Sequence, residues 1–215
     1  SLYEKKLATY PRTDSQYLTE DMQTTVASLV LWLRDHMPFG KGCAGEPDIG
    51  RVTDNSKVTD HHAIIPTAEI ARTDLTELPS GERDVLTLII ARLLSATAQV
   101  HRFEAVTAIL DCQARSFTAK GKTVLQAGWK EVERLYRMGL KQFKPEDDEN
   151  TDVSLPMLQE GQIFETVSAS VREGKTSPPK HYTEDSLLAA METAGAEDMP
   201  EDAERKGLGT PATRA

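Results

Sequence analysis

Cysteine and long apolar runs are both scarce in this sequence, and acidic residues outnumber basic ones. The two cysteines, Cys43 and Cys112, have neither the spacing of metal ligands nor that of a disulfide framework, so we interpret both as ordinary thiols. No apolar run is long enough to cross a membrane and no signal-peptide pattern is present, which leads us to expect a cytoplasmic protein without a membrane partner. With 215 residues and 39% hydrophobic content, the chain can bury a core as one large or two small domains.

The lack of excess positive charge argues against a nucleic-acid partner, because binding to a phosphate backbone normally needs a basic surface. The net charge is -9. Much of the acid is local, however, in runs at 146–152 and 197–204 that are typical of solvated loops. Some basic residues flank the motifs described below, with Lys5, Lys6 and Arg12 at one end of the chain and Arg205, Lys206 and Arg214 at the other. A basic cleft on an acidic molecule is therefore compatible with the composition.

Hydrophobic periodicity predicts an α+β fold with a helical amino-terminal part and a β-rich part after it. Beyond Thr19, a potential N-cap, a helix that ends before Pro38 is predicted by apolar residues at helical spacing: Met22, Val26, Leu29, Val30, Leu33 and Met37. Residues 39–57 are typical of a loop. Ser80 is a candidate cap for a second helix, whose predicted buried stripe is Val85, Leu88, Ile89, Leu93 and Ala96.

Alternation replaces the helical period from Arg102, where one strand face is predicted to carry Val106, Ala108 and Leu110. The sequence 116–126 predicts a hairpin that turns at Lys-Gly-Lys, and alternation over 163–171 predicts another strand. A short helix capped by Thr183 is then predicted to end near Gly195 and to carry Leu187, Leu188 and Met191.

The sequence TYPRTDS, residues 9–15, places a phenol, a guanidinium and a carboxylate on one short segment. Pro11 disfavours helical backbone at the residue before it, so Tyr10 is expected to be extended. Residues two apart in an extended chain share a face, so Arg12 would lie beside Tyr10 and could clamp a phosphodiester, with Asp14 orienting it. The pattern fits a tyrosine that attacks phosphate; the alternative is a surface turn in which Arg12 and Asp14 form an ion pair.

Three further motifs follow in order: VTDHHAIIPT at 58–67, HYTEDSLL at 181–188 and GLGTPATRA at 207–215. Together with TYPRTDS they resemble the ordered motifs of type IA DNA topoisomerases, above all of bacterial topoisomerase III. The sequences LYEKKLA at 2–8 and GKTVLQAGW at 121–129 also resemble that family. Four motifs in one order are far more specific than a single motif, and the resemblance covers nearly the whole chain.

The resemblance implies that Tyr10 is the nucleophile, forming a 5′-phosphotyrosine link and freeing a 3′-hydroxyl. It implies that Arg12 positions the tyrosine and the scissile phosphate. A phenol with a pKa of about 10 needs nearby positive charge to attack at neutral pH, which agrees with that role.

For the histidine pair, the resemblance favours His61 as the residue near phosphate in the DNA path and leaves His62 as structural. The alternative is that histidines here are satisfied by the backbone within the fold. A second alternative is that Asp60, His61 and His62 form the Asp-His-His signature of manganese phosphoesterases. Those enzymes need upstream aspartate motifs, which the preceding residues do not contain.

The glycines of GLGTPATRA lack the third glycine and the preceding strand of a dinucleotide fingerprint, but they lead into a helix start, which favours phosphate. The resemblance implies that this segment opens the domain lining a single-stranded DNA groove, with Thr213 as the preferred phosphate contact and Arg214 as a weaker one. The chain ends before the helix announced by Thr210-Pro211 can form, so we expect a fragment of a longer polypeptide. The acidic stretch 196–206 is longer than the family pattern leads us to expect.

The resemblance also implies parts that this sequence lacks. Type IA enzymes bind Mg²⁺ through an upstream Toprim domain, which supplies a glutamate as general acid and a lysine; neither its acidic cluster nor a CxxC zinc ribbon is found here. We expect a winged-helix-like cap domain carrying the tyrosine at 1–101, a β-rich hinge domain at 102–182, and a helix with the start of a truncated DNA-groove domain at 183–215. The expected partners are single-stranded DNA and the missing Toprim and groove domains, and the fragment alone is expected to be inactive.

Two other classes remain as alternatives. One is a non-catalytic DNA-binding or partner-binding module that retains a winged-helix cap. The other is a relaxase or tyrosine recombinase, although neither the histidine cluster of the first nor the basic array of the second is evident. A Toprim domain encoded upstream of Ser1 would favour the topoisomerase interpretation.

Overall fold

The structure, a computed structural model, describes residues 1–140, 155–165, 168, 170–171, 173–194 and 208. Contacts divide the chain into two compact units, Ser1–Leu158 and Gln159–Ala215. The helices are α1 (Gln23–His36), α2 (Ser80–Thr97), α3 (Trp129–Met138) and α4 (Glu184–Thr193), and the strands are β1 (Arg102–Cys112) and β2 (Arg115–Gln126). The described residues therefore form an α+β fold. The predicted domain boundaries at 101/102 and 182/183 stay predictions.

The core of the first unit lies between α1, α2 and α3. Helix α1 contacts α2, and α2 contacts α3. The predicted apolar face of α1 is confirmed, since it buries Val26, Leu29, Val30 and Leu33. The predicted Thr19 cap is only partly realised, because a 3-10 turn at Glu20–Met22 precedes α1 and the Thr19 side chain makes no capping hydrogen bond.

The predicted buried stripe of α2 is wrong in register. Val85 and Leu88 are 52% and 40% exposed, whereas the buried residues are Leu86, Ile90, Ala91, Leu93, Leu94 and Thr97. Residues 85–94 are apolar at most positions, so several helical stripes fit the sequence equally well. Packing against α1 and α3 determines which face of α2 is buried. Among the five residues of the predicted stripe, Leu93 is the buried one.

The segment between α1 and α2 consists largely of 3-10 turns. The sequence predicts a loop for the first part of this segment, residues 39–57. The turns lie at Pro38–Gly42, Gly50–Val52, Asn55–Lys57, Ala68–Arg72 and Leu75–Glu77. Three are capped by a side-chain oxygen that accepts an N–H two residues later, from Asp54, Thr67 and Asp74. These caps fix the backbone of a segment that has little regular structure.

Strands β1 and β2 form one antiparallel ribbon, paired from Arg102↔Gln126 to Cys112↔Arg115. The predicted turn at Lys-Gly-Lys is wrong, because Gly121 lies within β2 opposite Val106. The chain turns instead at Gln113 and Ala114, whose φ values of 46° and 62° are the positive pair that a two-residue hairpin requires. Gly121 has another role, since a Cβ there would lie 2.5 Å from the Leu155 Cγ.

Two further sequence predictions concern the carboxyl-terminal half. Among the described residues of 163–171 there is no strand, because an alternating pattern forms a strand only when a neighbour pairs with it, and the described sheet consists of β1 and β2. Helix α4 is confirmed, with a capping box in which Thr183 and Ser186 exchange hydrogen bonds. No helix in the described ranges is long and apolar enough to span a bilayer.

Candidate active site

The tyrosine segment is preceded by a tight turn that starts at the amino terminus. The Lys6 amide donates to the Tyr3 carbonyl and the Leu7 amide to the Leu2 carbonyl, each at 2.9 Å, and Lys6 has a φ of 59°. This pair of bonds around a left-handed residue is the pattern of a Schellman motif. Leu7 then enters the core at 2% exposure. The turn and the buried Leu7 therefore fix the backbone just before Tyr10.

An antiparallel pairing joins the tyrosine segment to the distant histidine segment. The Thr9 amide donates to the Ile65 carbonyl at 3.0 Å, and the Ile65 amide donates to the Thr9 hydroxyl at 2.9 Å. Ala8 and Pro66 form an isolated antiparallel bridge. Farther along, the Thr13 hydroxyl donates to the His61 carbonyl at 2.8 Å. These bonds hold two segments side by side that are far apart in sequence, since Thr13 and His61 are separated by 48 residues.

This pairing brings together the rings of Tyr10 and His61. Their centroids lie 4.4 Å apart with the planes tilted by 47°. A third ring, that of Tyr3, meets Tyr10 edge-on at a centroid distance of 5.3 Å and an angle of 74°. Tyr10 is half-buried and His61 is exposed, so this cluster of three rings reaches the surface of the protein.

Arg12 and Asp14 are both exposed on the same segment. Within the described residues neither forms an ion pair or a hydrogen bond, so the surface turn with an Arg12–Asp14 pair is not what the structure has. The suggested orienting role of Asp14 has no contact to support it in this state. The side chain of Arg12, two residues after Tyr10, is exposed to solvent.

The two histidines have different environments. The His62 Nδ1 lies 2.8 Å from the Ala63 carbonyl, to which it donates, and the ring is half-buried. His61 is the exposed member and contacts Tyr10. No three His, Cys, Asp or Glu side chains in the described part of the chain lie close enough to hold a metal ion, and the manganese alternative for Asp60, His61 and His62 gains no support.

Lys57, which the sequence reasoning missed, contacts the residues that follow Arg12 and Asp14. The Ser15 hydroxyl donates to the Lys57 carbonyl at 2.8 Å, and the Lys57 Nζ lies 4.2 Å from the centroid of the Tyr17 ring and 3.2 Å from Asp54 Oδ2. Hydrogen bonding to Tyr17, and then to Asp54, raises the pKa of Lys57. The signal in the sequence was the Asp-x-x-Lys spacing next to the histidine motif, with Asp54 capping the turn that carries the lysine.

The sequence reasoning also missed Tyr3 as a possible site residue, although it lies within the family-like sequence LYEKKLA. Its contact with Tyr10 depends on the tight turn, which no local pattern predicts. Thr213 and Arg214, the predicted phosphate contacts, lie outside the described residues, so the structure does not relate them to Tyr10.

Comparison with known proteins agrees with the ordered motifs. A family profile described as DNA topoisomerase matches residues 1–215. The chain belongs to this family, within its type IA branch. The relatives it matches include DNA topoisomerase 3 of Bacillus subtilis (strain 168), 36% identical over 227 residues, and of Staphylococcus saprophyticus, 33% identical over 228 residues. Each match covers 100% of this chain but 30% of the relative, so the chain spans about a third of their length.

A solved structure shares the fold. Full-length topoisomerase I from Thermotoga maritima superposes with a TM-score of 0.60 at 21% identity, covering 97% of this chain and 29% of that protein. At this identity the likeness concerns the fold alone. The sequence relatives therefore carry the family membership, and the superposition shows that the fold is that of part of a topoisomerase.

Proposed function

We propose that this chain is the tyrosine-bearing part of a topoisomerase III-like enzyme that cleaves and rejoins one DNA strand so that another can pass. The observation that carries the proposal is the half-buried Tyr10 ring in contact with His61, two residues before an exposed Arg12 that has no partner within the described part of the chain. The contact between Tyr10 and His61 joins two motifs that are distant in sequence, and it supports a shared role of these residues at phosphate. Family membership of the whole chain supports the same reaction class.

The proposed reaction is a reversible transesterification. The Tyr10 Oη gives up its proton and attacks the scissile phosphorus, forming a 5′-phosphotyrosine bond as the bond from phosphorus to the 3′-oxygen breaks. The 3′-oxygen leaves with the electron pair and gains a proton, so proton gain and loss balance. Rejoining is the reverse attack by the 3′-hydroxyl. Because an ester replaces an ester, the energy of the broken strand is kept in the protein–DNA link.

Arg12 and His61 have separate proposed roles. The guanidinium of Arg12 would bind the non-bridging phosphate oxygens and stabilise the charge that develops there in the transition state. His61, whose ring contacts that of Tyr10, would contact the phosphate. His62, with its Nδ1 on the Ala63 carbonyl, would be structural.

Type IA relatives are expected to use Mg²⁺, but the described residues offer no cluster that fits a cation. We therefore assign the metal ligands and the general acid to segments outside this chain and route no step of the mechanism through a metal here. In this proposal, residues 1–101 are the winged-helix-like cap, 102–182 belong to a hinge, and Thr213 and Arg214 contact single-stranded DNA in a neighbouring groove. The parent protein would act in the bacterial cytoplasm.

The test is covalent capture by the full-length protein, using a single-stranded oligonucleotide labelled at its 3′ end. Wild type should give a protein-linked band on a denaturing gel, Tyr10→Phe should give none while still binding the oligonucleotide, and Arg12→Ala should slow the appearance of the band. The present chain alone should neither form the adduct nor relax supercoiled DNA. A covalent band with Tyr10→Phe, or relaxation by this chain alone, would contradict the proposal.

Binding by the chain itself separates the enzyme from a generic winged-helix module. We expect weak binding to single strands that falls steeply as salt rises, because a few phosphate contacts release a few counterions. Fluorescence anisotropy of a labelled oligonucleotide measures this, with Arg12→Ala and Thr213→Ala as weakened variants. Preference for a duplex, or binding that does not respond to salt, would favour the non-catalytic module.

A further inference from the structure

The ring of Tyr10 contacts two other aromatic rings. The Tyr10 side chain makes no hydrogen bond within the described residues, and its neighbours are the rings of Tyr3 and His61. His61 is exposed, and in the proposed function it faces the phosphate. Tyr3 is therefore the ring contact of Tyr10 to which the proposed function gives no role at the phosphate.

Tyr3 is well placed to orient Tyr10 because its own segment is anchored at several points. Leu7, after the turn, lies in the core, and Leu2 packs against that core. The Lys6 carbonyl accepts a hydrogen bond from the Thr67 hydroxyl. The Lys5 Nζ lies 2.5 Å from a carboxylate oxygen of Glu82 in α2. A turn tied to the core, to the histidine segment and to α2 holds Tyr3 at a defined position.

The contact geometry depends on the ring of Tyr3 and not on its hydroxyl. Edge-to-face pairs form because the positive ring edge of one residue meets the negative ring face of the other. At 74° and 5.3 Å, Tyr3 and Tyr10 have this geometry. Tyr3 is 48% exposed, so its removal leaves the buried core intact.

We propose that Tyr3 is a positioning residue that holds the phenol of Tyr10 in the orientation for attack on phosphate. This inference rests on the proposed function, in which Tyr10 is the nucleophile. Tyr3 acts through Tyr10 and does not touch the reacting atoms. Its effect belongs to the chemical step, while non-covalent DNA binding is independent of it.

The kinetic test compares Tyr3→Leu with Tyr3→Phe in the full-length protein, under single-turnover cleavage of a saturating single-stranded oligonucleotide. Loss of an aromatic pair corresponds to a fall in rate of about two- to tenfold, and Tyr3→Leu should show it with an unchanged dissociation constant. Tyr3→Phe keeps the ring and should restore the wild-type rate. Leu31→Ala, a truncation at an exposed position of α1, is the matched control and should have no effect.

A structural readout that needs no activity accompanies the kinetics. In this chain, with ring-labelled tyrosine and the Tyr10 signal assigned through Tyr10→Phe, the Tyr10 resonance should shift in Tyr3→Leu and stay in place in Tyr3→Phe. Circular dichroism checks that each variant is folded, and Tyr3→Met replaces the leucine variant should that one unfold.

The outcomes separate the two proposals. Wild type without a covalent adduct would refute the proposed function, and the Tyr10 resonance alone would then decide whether Tyr3 orients the phenol. A wild-type adduct with Tyr3→Leu cleaving at the wild-type rate would overturn the positioning role. Weaker DNA binding by Tyr3→Leu with an unchanged rate when saturated would overturn it too, because Tyr3 would then be a base-stacking surface. A defect of equal size in Tyr3→Phe would show that the hydroxyl matters and not the ring.

Discussion

Replacing Gly128 by alanine should loosen the junction between the helical core and the ribbon. Gly128 precedes α3 with φ 55° and ψ -139°, a conformation that side chains with a Cβ rarely adopt. A Cβ there would lie 2.3 Å from the Val100 carbonyl oxygen and 2.5 Å from that of Gln99. These are the residues that connect α2 to β1, and the Gln99 carbonyl also accepts the Trp129 amide at 2.8 Å. Alanine would therefore act on both connections of the ribbon to the core.

The magnitude follows from two separate costs. Holding a residue other than glycine in such a backbone region costs about 1–3 kcal/mol. Relieving the clash with two backbone carbonyls, which cannot rotate away as a side chain can, costs about 1–3 kcal/mol more. The expected loss of about 2–6 kcal/mol is a large part of the total free energy of unfolding, which is about 5–15 kcal/mol for a typical protein.

The assay is urea unfolding of this chain followed by far-ultraviolet circular dichroism, with two glycine-to-alanine controls. Gly45 also has a positive φ, 70°, but the nearest atoms to its Cβ belong to the flexible Gln99 side chain at 3.3 Å, so backbone strain alone should cost about 1–2 kcal/mol. Gly81 in α2 has nothing within 4 Å, and its alanine variant should be neutral or slightly more stable. If Gly128→Ala unfolds at the same urea concentration as Gly45→Ala, the reasoning about the carbonyl clash is wrong.

Three further predictions concern individual side chains. Thr9→Val removes a hydroxyl that accepts the Ile65 amide at 2.9 Å, and it should destabilise the chain by about 1–3 kcal/mol in urea, whereas Thr9→Ser should not. Hydrogen bonds from Ser56, and then from Lys57, lower the pKa of Asp54 from 3.8, so its carboxylate stabilises the fold above that pH. The difference in free energy of unfolding between wild type and Asp54→Ala should therefore vanish as the pH falls through 3.8 and below. A difference that persists in acid would contradict this. Burial raises the pKa of Cys43 above 9.0, so a thiol reagent at neutral pH should modify the exposed Cys112 first, and Cys112→Ser should lose the fast phase.

Local signals in the sequence were enough for several elements. The apolar face of α1 repeats at helical spacing without ambiguity, and the structure buries it as predicted. The capping box at Thr183 depends on neighbouring residues alone, and α4 begins where it indicates. Helix α3 also has apolar residues at helical spacing, with Val132 buried and Trp129, Leu135 and Tyr136 packed against the core, although no helix is predicted there. The signals for helices of this kind lie within the helix itself or at its cap.

Other features needed a partner from elsewhere in the molecule. The predicted buried face of α2 is wrong because most positions from 85 to 94 are apolar, so the sequence allows more than one buried face. Packing against α1 and α3 determines which face is buried. The hairpin turn was placed at Gly121, but strand register puts the turn at Gln113–Ala114 and leaves the glycine to make room for Leu155. Register depends on which side chains face the core, which a local pattern does not contain.

The chemical groups of the candidate site can be recognised from the order of amino acids alone: a phenol and a guanidinium two residues apart, and a histidine pair, in an order that matches one family. Which of these groups meet depends on the folded structure. It set His61 against Tyr10 and turned His62 to the backbone, left Arg12 without a partner among the described residues, and added Tyr3 as a third ring. The physical reason is that these contacts follow from backbone hydrogen bonds between segments far apart in the chain, such as Thr9 with Ile65, and the choice of such partners is a property of the folded whole.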